Sequence, residues 1–274
     1  MNEKLRLYNG EMIPTLAYGT WLIDNKDACE CVKNALKYGY RHIDTAQAYG
    51  NEEGVGRGIR ESGLNRDEIY VTTKVMAEIK SYDIAKKSID DSLKRLGLDY
   101  VDLILIHCPQ PWAEHYGPNR YFKENIEVWK ALEEAYKEGK TKAIGISNFE
   151  IDDTENILNN CEIKPMVNQV ACYIGDTPME LINFCKEKGI VFESYSPIAH
   201  GGALKNKDIA RIAEKYNVSI AQLCIKYTLQ LGIVSIPKAK QLKHIIENTK
   251  LDFEISNEDM DFLMKIDNVE FGKF

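Results

Sequence analysis

Short apolar runs alternate with longer stretches of helical period along the whole chain. The runs that read as strands are 15–20 (TLAYGT), 41–44 (RHID), 68–74 (EIYVTTK), 101–107, 142–147, 166–171, 190–194 and 233–237. Several are continuously apolar, which suits strands buried on both faces of a parallel sheet. Apolar residues at three- and four-residue spacing predict helices over 26–38, 52–61, 82–96, 122–139, 151–160, 178–188, 207–216 and 218–231. In the third of these, Ile84, Ile89, Leu93 and Leu96 are expected on one face, with Ser81 as N-cap and Gly97 as a left-handed stop. Repeated strand–helix units imply parallel pairing, and eight of them predict a closed (β/α)8 TIM barrel.

Two segments fall outside that rhythm. Residues 4–13, centred on Asn9-Gly10, read as a β-hairpin that plugs the N-terminal mouth of the barrel. Residues 255–266 read as an added C-terminal helix with a capping box from Ser256 to Asp259. No linker or low-complexity tract divides the chain, so residues 1–274 are expected to form a single domain.

Length and charge narrow the function. A barrel of this type fills roughly 250 residues, close to the 274 present. The net charge of -7 argues against a nucleic-acid surface. No apolar run reaches the ~18 residues of a membrane span. The first residues, MNEKLRLYNG, lack the apolar core of a secretory signal, so a cytoplasmic protein is expected. Seven cysteines at irregular spacing, with Cys29 and Cys31 as CxC, suit reduced, mostly buried thiols rather than a disulfide or zinc framework. A monomer is favoured.

Barrel enzymes place their chemistry at the C-terminal strand ends. Here those ends carry Asp44, Lys74, His107, Ser147 with Asn148, Asn168 with Gln169, the run Ser194–Pro197, and Pro237 with Lys238. An Asp44–Lys74 ion pair would fix an ammonium near Tyr49 and pull the phenol below its reference value of about 10. Such a tyrosine can give a proton to an oxygen that is gaining charge. A histidine, His107, can orient the same oxygen. Hydride addition to an aldehyde or ketone creates that oxygen. Other features invite a plainer reading. Gly54, Gly56 and Gly58 suit helix packing. Trp129 suits the core, His42 its strand, and His115 and His200 loops. Trp112, after the fourth strand, is placed to line a pocket.

The stretch GYRHIDTAQAYGNEEGVG (39–56) resembles the first signature of the aldo-keto reductases. GISNF (145–149), VNQ (167–169), SYSP (194–197), IPK (236–238) and EN (247–248) resemble later ones, in order, over nearly the whole chain. The resemblance implies reduction of aldehydes or ketones with NAD(P)H, with Tyr49 as general acid/base, Asp44 and Lys74 tuning it, and His107 orienting the carbonyl. It implies that Ser147, Asn148 and Gln169 hold the nicotinamide carboxamide, that Tyr195 stacks on the ring, and that Ser196 meets the pyrophosphate. Lys238, His244, Glu247 and Asn248 fall at the adenosine end. Asp44 and Thr20 fall beside the nicotinamide, and Trp21 beside the substrate. No metal is implied. Small aldehydes, dicarbonyls such as methylglyoxal, and keto sugars are the expected substrates.

The sequence departs from the family pattern in three places. Ala239 and His244 stand where a serine and an arginine usually meet the ribose 2′-phosphate, so NADPH is expected with a reduced preference over NADH. Cys108 follows His107 in place of a tryptophan, which would widen the substrate pocket or admit Trp112. Residues 171–174 (ACYI) replace a stretch that usually contains glutamate and histidine. Two rival readings remain open: a cofactor-binding barrel serving as a regulatory or structural subunit, and an aldolase using Lys74 as a Schiff base.

Overall fold

A computed structural model describes residues 3–115 and 117–272. Among the described residues there are ten strands: β1 Lys4–Arg6, β2 Met12–Pro14, β3 Tyr18–Gly19, β4 His42–Asp44, β5 Tyr70–Val75, β6 Val101–Ile106, β7 Thr141–Ser147, β8 Val167–Ala171, β9 Val191–Tyr195 and β10 Val234–Ile236. The last eight form one parallel sheet ordered β3 through β10. Leu16 bridges Ser235, and the Ala17 and Gly19 amides donate to Ser235 and Pro237, so the sheet closes into the expected barrel. Each of the eight strands overlaps the corresponding run of the sequence, and β5, β7 and β9 extend one residue beyond it.

The helices are α1 Asn25–Lys37, α2 Glu52–Arg60, α3 Tyr82–Leu96, α4 Phe122–Lys137, α5 Ile151–Leu158, α6 Met179–Lys188, α7 Lys207–Lys215, α8 Ile220–Gln230, α9 Leu242–Glu247 and α10 Asn257–Met264. Both α7 and α8 lie between β9 and β10. The helix after β10 is therefore α9, whose six residues are too short to show a helical period. In α2, a Cβ on Gly54 or Gly58 would strike α1, and one on Gly56 would strike the backbone of Leu96, so these glycines permit close helix packing. Trp129 is buried and its Nε1 donates to the Ile163 carbonyl at 3.0 Å.

Local details differ from the sequence expectation. Gly97 has φ 62° as a left-handed cap of α3, but Ser81 makes no side-chain capping bond. Ile84 is 59% exposed, and Ala85, Ile89, Ser92 and Leu96 form the buried face instead. At α10, Ser256 Oγ accepts from the Asp259 amide, yet the Ser256 amide donates to the Tyr216 hydroxyl at 2.8 Å. The box is half formed because Tyr216 takes the second position.

The hairpin of β1 and β2 pairs Leu5 with Ile13. Gly10, at φ 97°, closes its turn, with the Gly10 amide on the Leu7 carbonyl and the Leu7 amide on the Glu11 carbonyl. Its tip reaches the N-terminal ends of β7 and β8: Asn9 donates to the Lys142 carbonyl and Tyr8 to that of Lys164. The hairpin thus covers the bottom of the barrel and leaves the C-terminal strand ends open.

Candidate active site

Parallel register brings the strand ends to one level: Gly19 lies beside Asp44, Lys74 beside Leu105, Ser147 beside Gln169, and Ala171 beside Tyr195. Over them opens a cleft of about 650 Å³. Its lining includes Trp21, Asp44, Tyr49, His107, Trp112, Ser147, Asn148, Gln169, Tyr195, Ser196 and Lys238.

Lys74 occupies the floor and is fully buried. Its Nζ donates to Asp44 Oδ1 at 2.7 Å, to the Thr45 carbonyl at 3.0 Å and to the Tyr49 hydroxyl at 3.2 Å. Burial alone would lower its pKa, but Asp44 and Tyr49 outweigh this and raise it. A buried lysine paired with Asp44 and Tyr49 is a poor Schiff-base nucleophile, which disfavours the aldolase reading.

Tyr49 sits in a short 3₁₀ turn after β4 (47–49), ended by Gly50 in the left-handed region. Its phenol departs from the sequence expectation. Burial raises its pKa above 10, and the opposing pull of Lys74 does not cancel that rise. The group is therefore a stored proton rather than a ready phenolate. His107 follows β6 with its ring centroid 5.6 Å from that of Tyr49. Burial first, and then Lys74, hold it well below the ordinary imidazole range. A neutral imidazole can orient an oxygen but holds no excess proton near pH 7, whereas the Tyr49 phenol carries one.

The far wall is built by mutual hydrogen bonds. Ser147 Oγ donates to the Gln169 carbonyl at 2.7 Å. Asn148, in the left-handed region at φ 61°, donates to the His107 carbonyl and accepts from the Tyr195 hydroxyl at 2.8 Å. Ser196 is also left-handed, at φ 53°. Non-glycine residues in that region cluster at ligand sites. The donor set and the Tyr195 ring suit a flat carboxamide-bearing ring, so these residues fit a nicotinamide.

Other expected site residues lie elsewhere. Thr20 is buried, with its hydroxyl on the Asp44 carbonyl, and does not line the cleft. Cys108 is fully buried with its Sγ 3.4 Å from His115 Nδ1, so it does not widen the pocket. Trp112 reaches the cleft, its ring centroid 5.2 Å from that of His107. At the adenosine end Lys238 faces the cleft, while Lys240 pairs with Asp27 at 2.8 Å and Asp24 at 3.8 Å. His244 and Glu247 pair with each other at 3.1 Å on α9, and Asn248 is buried at its end.

Two aromatic cleft residues, His200 and Phe271, are not reached as site residues from the sequence. His200 stacks near Trp21, with centroids 4.9 Å apart, and near Phe271, at 4.0 Å. Phe271 comes from the tail after α10 and is 5.2 Å from the ring of Tyr173. The unusual 171–174 stretch thus supplies a ring that seats the tail over the cleft. The surplus of aromatic residues near the end of the chain was its only sequence signal. Among the described residues, no group of three or more His, Cys, Asp or Glu side chains could hold a metal. No helix among them is long and apolar enough to cross a membrane.

The model of the aldo/keto reductase family matches residues 15–268. Glyoxal reductase of Bacillus subtilis (strain 168) is 45% identical over 263 residues, covering 95% of this chain and 91% of that protein. The crystal structure of an aldo/keto reductase from Brucella melitensis superposes with a TM-score of 0.90 at 38% identity, covering 97% of this chain and 99% of that one. A Bombyx mori aldo-keto reductase solved with NADP gives 0.89 at 29% identity, covering 100% and 96%. The chain belongs to the aldo/keto reductase family.

Proposed function

We propose that the protein reduces small aldehydes and ketones to alcohols with NADPH, and that dicarbonyls of the glyoxal and methylglyoxal type are its substrates. The observation that carries this reading is the Asp44–Lys74–Tyr49 chain on the floor of a cleft, with a neutral His107 beside it. When bound, the reduced nicotinamide supplies the hydride. Ser147, Asn148 and Gln169 hold its carboxamide, and Tyr195 covers its ring. The substrate carbonyl oxygen then sits between the Tyr49 hydroxyl and the His107 imidazole. As charge grows on that oxygen, Tyr49 passes its proton to it, and the Lys74 ammonium stabilises the phenolate left behind. Trp21, Trp112 and Phe271 line the remaining volume with aromatic surface, which excludes water from the reacting oxygen.

Lys238 meets the ribose phosphate. Because Lys240 is already paired and His244 is turned to Glu247, the preference for NADPH over NADH is modest. The strand-end residues of the cleft all belong to one closed sheet, which supports a single domain. The test is oxidation of NADPH in the presence of glyoxal, methylglyoxal and a keto sugar, with the product alcohol identified. Tight coenzyme binding without turnover on any carbonyl would overturn the reading.

A further inference from the structure

The middle of the barrel is polar where apolar packing is usual. Glu193 lies there on β9, fully buried, in register with Gln169 and two residues before the cleft-lining Tyr195. Its Oε2 accepts from Gln169 Nε2 at 2.8 Å, and the same nitrogen donates to Asp44 Oδ2 at 2.9 Å. Both hydrogens of one amide are thus taken by two carboxyl groups. Reversing the amide would set a carbonyl oxygen against an Asp44 carboxylate that can only accept.

We infer that Glu193 is a positioning residue for the coenzyme site: with Asp44 it grips the Gln169 amide so that Gln169 turns its Oε1, an acceptor, toward the cleft. This rests on the nicotinamide reading above. An acceptor there selects a ring bearing an N–H donor, as the carboxamide does. Without Glu193 one Gln169 N–H is left buried and unpaired, and the amide can turn about its remaining bond to Asp44. The other groups facing Glu193 are His42 on β4, with Nε2 3.9 Å away, and Tyr70 on β5, whose buried hydroxyl has no partner. His42 Nδ1 faces the Pro14 carbonyl at 3.3 Å and so carries the proton of the neutral ring, which leaves Nε2 to accept from Thr72 Oγ1 at 2.9 Å and no proton for Glu193.

The test compares dissociation constants for NADP+ and for its 3-acetylpyridine analogue, in which a methyl ketone without N–H replaces the carboxamide. The wild type should prefer NADP+ by about tenfold, the worth of one hydrogen bond. Glu193→Leu and Glu193→Ala should bring that ratio near one, while Glu193→Gln, which keeps an acceptor, should restore it. A merely structural residue would weaken both coenzymes equally. A folded Glu193→Leu or Glu193→Ala protein that keeps the tenfold ratio would overturn the inference, as would the same loss in Glu193→Gln. Should both truncations fail to fold, the wild type still decides. Both side-chain amide protons of Gln169, assigned by NMR from their absence in Gln169→Glu, should exchange slowly with solvent, and fast exchange would overturn the inference. If the wild type binds neither coenzyme, the nicotinamide reading itself fails.

Discussion

The ammonium of Lys74 stands 3.2 Å from the phenol oxygen of Tyr49, inside a pocket of protein rather than in water. A buried cation is tolerable because Asp44 lies 2.7 Å away. Lys74→Met should therefore act twice. It leaves the Asp44 charge uncompensated, at a cost of about 3–5 kcal/mol in stability. It also removes the charge that stabilises the Tyr49 phenolate. Denaturant unfolding should show the loss, and Asp44→Asn in the same chain should recover much of the stability but none of the turnover. Recovery of both would place the pair outside the chemistry.

Glu193 and His42 predict how stability follows pH. Burial pushes the Glu193 carboxyl up to about 8 and pulls the His42 imidazole down to about 4. An acid raised on folding lends stability that is complete below its unfolded value of about 4.5 and lost as pH rises through 8. A histidine depressed on folding lends stability present above about 6.5 and lost as pH falls through 4. Glu193→Gln should gain melting temperature on the wild type as pH rises from 5 to about 8, with no further gain beyond. A gap that is constant over that range would contradict the assignment.

At the adenosine end, Ala239→Ser with His244→Arg restores a hydroxyl and a guanidinium. A charge-assisted bond is worth about 1.5–3 kcal/mol, so NADPH affinity should rise by roughly tenfold or more while NADH affinity stays level. In the wild type the two dissociation constants should differ by less than about a thousandfold. Fluorescence titration checks both. Equal strengthening of the two coenzymes would show that these positions do not meet the phosphate.

Trp112 is 41% exposed and packs edge-on to His107. Trp112→Ala should admit bulkier carbonyls and raise KM for the smallest aldehydes by about tenfold, since a large aromatic wall is lost. A change in kcat alone would instead point to disturbance of His107.

The barrel was legible because several of its strands are continuous apolar runs and most of its helices are long enough to show their period. Helix α9 was not, because six residues give no period, although its start follows the expected IPK motif. The floor of the cleft was legible because Asp44 and Lys74 lie at strand ends, Tyr49 and His107 follow strands closely, and parallel register aligns those ends automatically. Three features depend on contacts that sequence does not carry. Phe271 joins the cleft only because Tyr173 and His200 catch the tail. Cys108 turns away toward His115. The direction of the Tyr49 shift depends on how much burial opposes Lys74, and residue identity alone gives only the charge. Glu193 left a visible trace: an acidic residue inside the apolar run 190–194.

The most direct measurement is single-turnover reduction of methylglyoxal by Tyr49→Phe preloaded with NADPH, alongside the coenzyme dissociation constant. Loss of the proton donor should slow hydride transfer by about 10²–10⁴-fold. The dissociation constant should stay within about threefold of wild type, the phenol being replaced by a ring of equal shape. Equal rates in the two proteins would show that the proton comes from elsewhere.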